Sequence, residues 1–281
     1  MTTTLKRWSQ LGLGLALASG TLAACGNPEP TAEAPEPGKA ETEVATRAPA
    51  AGTDEPTATE AGEGEGGVVI TEALTDPVVF LSILAITEAH IIAARDAHAL
   101  GENDAAAEMF AHPVSEVLFE SQEVFNQLGV ADFSDKLTNT SAAIFAGESP
   151  EQINARADDI IAALRTAAEK APSTDASAAS VAAGVAVDQI ERAADMYRVA
   201  LDSDAYEPYL DGYGFLKAGE AVFLQSADAI EAEDEQAASA IKDAIAKLDE
   251  AYPSAIRPDS LDADLATVTV AASNAIIAVQ N

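Results

Sequence analysis

His90, His112 and Glu116 are the residues whose types and spacing best suit chemistry. Two imidazoles and a carboxylate make a donor set for zinc, copper, nickel or iron. All three histidines of the chain, His90, His98 and His112, fall between positions 90 and 112. The segment 78–94 that carries His90 is apolar nearly all round, the mark of a helix buried inside a bundle. A polar group on such a helix needs compensation, because an unpaired one costs roughly 1–3 kcal/mol. A tight turn centred near residue 102 sets positions on the two flanking helices at equal height when their numbers sum to about 204. His90 then faces Val114, with His112 and Glu116 on either side, four residues apart on one face. His98 lies two turns nearer the turn and is a weaker participant. Glu88 points about 160° away from His90 and faces a different partner. Two readings remain open at this point: a metal or ligand site, or a buried histidine hydrogen-bonded to glutamate for structural reasons alone.

A second cluster holds Tyr197, Tyr206, Tyr209, Tyr213, Phe215 and Phe223, with Asp204, Glu207 and Asp211 between them. At helical spacing these aromatics read as core. The functional alternative is a groove mouth at Tyr206, Tyr209, Asp211 and Tyr213, where hydroxyls and carboxylates receive a cation or another ligand.

The elements that must position these groups are all helical. Asp76 and Pro77 form an N-cap and first-turn proline that open a helix over 76–100. Gly101, Glu102 and Asn103 turn the chain, and Asp104 caps a second helix to about Leu128, which Pro113 kinks or splits. Ser149, Pro150, Glu151 and Gln152 have the form of a capping box opening a helix that ends near Lys170. Helices over 132–146, 175–201, 206–231, 234–252 and 261–279 bring the total to eight. Apolar residues recur three and four apart, as in Ile160, Ile161, Leu164 and Ala168. Only Val68, Val69 and Ile70 suggest a short strand. The two halves share an outline, since 93–119 and 188–215 each run helix, acidic turn, helix. The expectation is an all-α fold over 68–281, two four-helix units packed as a tandem bundle and related by duplication. Alanine-rich hairpins that look alike through composition are the alternative.

The chain carries 15 Lys+Arg against 47 Asp+Glu, a formal net charge of −32. Nucleic acid is excluded as a partner on that ground, since phosphate is repelled. The acidic surface concentrates cations and suits high salt. Residues 26–67, rich in Pro, Ala, Glu, Thr and Gly, hold ten acidic and two basic groups and almost no large apolar side chain. They read as a disordered, extended tether. With Cys25 as the only cysteine, no disulfide forms within the chain.

Lys6 and Arg7, the apolar run 11–22, and Ala23 and Ala24 before Cys25 have the order of a secretory leader. With cysteine at the cleavage point, 1–24 resembles a bacterial lipoprotein signal peptide. The resemblance implies that Cys25 is lipidated, becomes the mature N-terminus and anchors the chain to a membrane. Gly26, rather than Asp, after that cysteine implies the outer membrane in a diderm cell, with 25–67 holding the folded part off the surface. Removing the leader, which bears Lys6 and Arg7 and no acidic group, makes the mature protein more negative still.

Glu88-Ala89-His90 through Gly101, His112-Pro113 and Glu116 resembles helical periplasmic proteins related to imelysins and to the lipoproteins of ferrous-iron uptake. The segment 206–215, with Tyr206, Asp211, Gly212, Tyr213, Gly214 and Phe215, is similar to the extracytoplasmic helical segment fused to some iron permeases. The imelysin Gly-x-His-x-x-Glu pattern is not intact: Glu88 stands at its first position and Ala93 at its last. These resemblances imply tandem helical bundles in the periplasm with roles in iron or haem uptake. Lipidation removes Cys25 as a nucleophile, and the chain has no Gly-x-Ser-x-Gly, no His-Glu-x-x-His, no phosphate loop and no haem-attachment motif. The leading expectation is a non-enzymatic, lipid-anchored binding protein for a metal ion (iron, copper or zinc) or a metal complex. An envelope scaffold that contacts a protein partner without any ligand, and an imelysin-like hydrolase, are the rivals.

Overall fold

A cap is the first thing the structure verifies. In a computed structural model that describes residues 70–280, the Asp76 side chain accepts from the Val78 backbone N–H at 2.8 Å, and Pro77 opens helix α1 (Pro77–Ala99). The leader 1–24, Cys25, the tether 26–67, and Val68 and Val69 lie outside the described residues. Ile70, the one described residue of the 68–70 stretch that alone suggested a strand, opens a 3-10 turn, Ile70–Leu74.

Three of the later helices, those opening at Pro150, Ala178 and Glu235, begin where a side chain at the N-cap receives an orphan N–H. After α2 (Asn103–Pro113), α3 (Phe119–Leu128) and α4 (Ser134–Phe145) comes α5 (Pro150–Ala168), whose Ser149 and Gln152 complete the reciprocal capping box. Ser177 caps α6 (Ala178–Asp202), and Asp234 caps α8 (Glu235–Ala251) after α7 (Glu207–Glu233). The last helix, α9 (Leu265–Gln280), starts later than position 261, because Asp264 receives the Thr267 N–H at 2.9 Å and so fixes the cap there.

Pro113 splits its rod into two α-helical pieces, as expected, without ending it. It closes α2, and Val114–Leu118 continues as one π-helical turn into α3. Proline has no N–H for the carbonyl four residues back, and the wider turn absorbs the mismatch.

The helices close into two rings. In the first, α1 meets α2, α2 meets α4, α4 meets α5, and α5 returns to α1. In the second, α6 meets α7, α7 meets α8, α8 meets α9, and α9 returns to α6. The rings join through α1, which packs on both α6 and α7. The fold is the expected all-α tandem of four-helix units. Its centre is α1, where Phe80, Ile83, Ile86, Ile91, Ala93 and Ala97 are sealed from solvent. By length and composition α1 would suffice to cross a membrane, but 83% of its apolar window is buried in the protein, as befits a core helix.

Glycine sets how closely the rings approach. A Cβ on Gly214 of α7 would lie 2.5 Å from the Ala89 carbonyl oxygen of α1. Glycine inside a helix costs about 1 kcal/mol relative to alanine, and here the closeness of the backbones offsets it.

Candidate metal centre

His90 sits in mid-α1 and is 1% exposed. Its Nδ1 lies 2.8 Å from the Ile86 carbonyl oxygen one turn back. A carbonyl only accepts, so Nδ1 carries the proton and the remaining ring nitrogen is the one available to a metal. That nitrogen, Nε2, is 3.7 Å from Oδ1 of Asp211 on α7, whose side chain is fully buried. The His112 ring, at the end of α2, stands 6.1 Å from the His90 ring at 70°, and Phe215 closes the other side at 5.9 Å and 88°. One ligand atom from each of His90, His112 and Asp211 lies within 4.8 Å of the other two.

That triangle fits one ion after a small contraction. Donors bound at about 2.0–2.2 Å in a tetrahedral arrangement stand about 3.4 Å apart. The 3.7 Å between His90 and Asp211 is longer than a hydrogen bond and close to that spacing. Beyond the triangle, His112 Nε2 lies 3.7 Å from Glu207 Oε1 and 3.9 Å from Glu108 Oε1. Glu207 opens α7 one turn before Asp211, and Glu108 lies one turn before His112, so both carboxylates follow from helical spacing.

The sequence-predicted residues fall as follows. His90 and His112 come together across the α1–α2 hairpin. Glu116 rides half-buried on the π turn and is outside the three-residue group. His98 Nδ1 is 2.8 Å from the Asn103 side-chain oxygen, so this histidine ties the end of α1 to the start of α2. Glu88 faces away, as expected, and receives both terminal nitrogens of Arg165 from α5 at 2.7 and 2.5 Å. Asp211, the third member, was read from sequence only as part of a tyrosine groove. The signal that marks it is a lone carboxylate between Leu210 and the run Gly212, Tyr213, Gly214, Phe215, apolar surroundings in which an acid must be buried.

Most of the aromatic cluster lies in the core, and its tyrosine hydroxyls are hydrogen-bonded. Tyr206 donates to the Ala255 carbonyl at 2.5 Å, Tyr209 to Ser254 at 2.8 Å, and Tyr197 to Ala263 at 3.1 Å. Tyr213 donates to the Asp96 carboxylate at 2.8 Å, and Tyr252 to the Ala193 carbonyl at 2.8 Å. Three of them thus satisfy carbonyls of the irregular stretch between α8 and α9, which has no helical neighbours to do so. Burial raises all five phenols, Tyr209 from the usual value near 10 to about 12. Because the neutral hydroxyl is the form the fold favours, this stability is whole below pH 10 and is lost as pH climbs through about 12. Tyrosinate absorbance and loss of helical circular dichroism are therefore expected to rise together between about pH 10 and 12. Stepwise ionisation with helicity intact would contradict these bonds.

No protein-family model matches the chain, and no curated protein or solved structure shows significant similarity to it.

Proposed function

We propose that the protein binds a divalent transition-metal ion through His90, His112 and Asp211, and does so outside the cytoplasm on a lipid anchor at Cys25. The observation that carries the metal reading is the meeting of three donor atoms within 4.8 Å, from α1, α2 and α7. The His90 tautomer adds to it, because its Nδ1–H is held by the Ile86 carbonyl. The leader pattern, Cys25 and the acidic segment that follows support the location. Burial of His90 and Asp211 weighs against a hydrolase, which needs its acid–base pair open to substrate.

Metal analysis of protein purified without an affinity tag tests the reading. One zinc, copper or iron per chain is expected, with a rise in melting temperature on adding the ion. His90→Ala and Asp211→Asn each weaken binding by more than about 100-fold, since even loss of an outer-shell partner costs 10–100-fold. Glu116→Gln costs far less than Asp211→Asn. No bound metal at micromolar supply, together with no thermal shift, ends the proposal. It leaves an envelope scaffold in which His90 and Asp211 form a buried polar pair.

A further inference from the structure

We infer that the cation is exchangeable cargo and that His112 passes it between two stations: an outer pair of carboxylates, Glu108 and Glu207, and the inner pair, His90 and Asp211. This rests on the metal reading above and adds the route and the class of ligand. Exposure falls in steps along that line. The side chains of Glu108 and Glu207 are 46% and 41% exposed, His112 is 12%, and His90 and Asp211 are 1% and 0%. His112 is thus the one imidazole in contact with both water-facing acids and the sealed interior.

The two histidines are held differently. His90 is fixed by its bond to the Ile86 carbonyl. His112 Nδ1 is buried and has no hydrogen-bond partner among the described residues, so no such bond at that nitrogen fixes its ring. Its backbone is also the less regular one. His112 directly precedes Pro113, where a carbonyl of α2 loses its usual donor, and the π turn Val114–Leu118 follows at once. A fixed inner ligand, a pivoting middle ligand and a hydrated outer carboxylate pair form a relay in which each donor replaces one water on the ion.

The dimensions select the ligand. Three donors within 4.8 Å, two of them sealed from solvent, enclose a bare ion and leave no room for a macrocycle or a multidentate chelate. The ligand is therefore a free, hydrated divalent cation, drawn by a protein of net charge −32 and stripped of water as it moves inward.

Stopped-flow mixing of the full chain with Co2+, read by cobalt absorption, tests the relay. The unmodified protein is expected to bind at a rate that falls with added salt. The double variant Glu108→Gln/Glu207→Gln should bind about tenfold more slowly, with a flatter salt dependence. The absorption of bound cobalt, which reports the inner ligands, keeps its shape. Both positions are well exposed, and matching circular dichroism confirms folding. An unchanged association rate in the double variant, with binding still lost in His90→Ala, overturns the relay and leaves the metal site standing. Failure of the unmodified protein to bind cobalt overturns both.

Discussion

Gly214→Ala is expected to destabilise the protein by about 2 kcal/mol and to separate His90 from Asp211. The added methyl would sit 2.5 Å from the Ala89 carbonyl oxygen, 2.9 Å from its carbon and 3.1 Å from the Ala93 Cβ. Two of these three neighbours are backbone, so no rotamer change relieves the contact, and α7 must back away from α1. Overpacking of this kind costs about 3 kcal/mol, and the better helix propensity of alanine returns about 1. Asp211 lies one turn earlier on α7 and moves with it. Gly184→Ala is the internal control: there the methyl meets only the Val78 side chain, at 3.0–3.7 Å, and no backbone, so a shift of a few tenths of an ångström suffices and the better helix propensity of alanine offsets it. That substitution should be near neutral. Urea denaturation compares the two, and equal midpoints would mean that α7 does not approach α1 as closely as described.

Arg165→Leu is expected to cost about 3 kcal/mol, because it strands a carboxylate in the core. Glu88 is 5% exposed on α1, and both its oxygens are held by Arg165. The arginine side chain is 46% exposed, so water reaches the pair from one side and keeps the loss below the upper end for buried ions. The informative comparison is the double variant Glu88→Leu/Arg165→Leu. An apolar replacement of the whole pair, against Leu84 and Leu164 of the neighbouring groove, should recover most of the stability. If the single change is harmless, or the double change is as damaging as the single, the pair is not the buried linkage between α1 and α5 that the distances describe.

What was legible in the sequence was local. Asp76, Ser149 and Asp234 announce helix starts because an N-cap acts within three residues. The meeting of His90 and His112 follows from hairpin geometry, which carries information across one tight turn. Asp211 was not legible as their partner, because α1 meets α7 only when two rings pack together, and the depth of that contact depends on Gly214. The π turn that carries Glu116 was not legible either, because a single such turn leaves no periodic trace. The tyrosine partners were equally invisible. They are carbonyls in an irregular stretch, and any residue supplies a carbonyl, so nothing in the side-chain pattern records them.

α1 is walled in by both rings, and this has a consequence for how the protein comes apart. A ring without its neighbour would leave one flank of α1 in water, an oily strip with hardly a charge on it. Neither half is then a free-standing module, and partial melting of one removes the wall of the other. The two rings are therefore expected to unfold in a single cooperative transition, which calorimetric and van't Hoff enthalpies of equal size would verify.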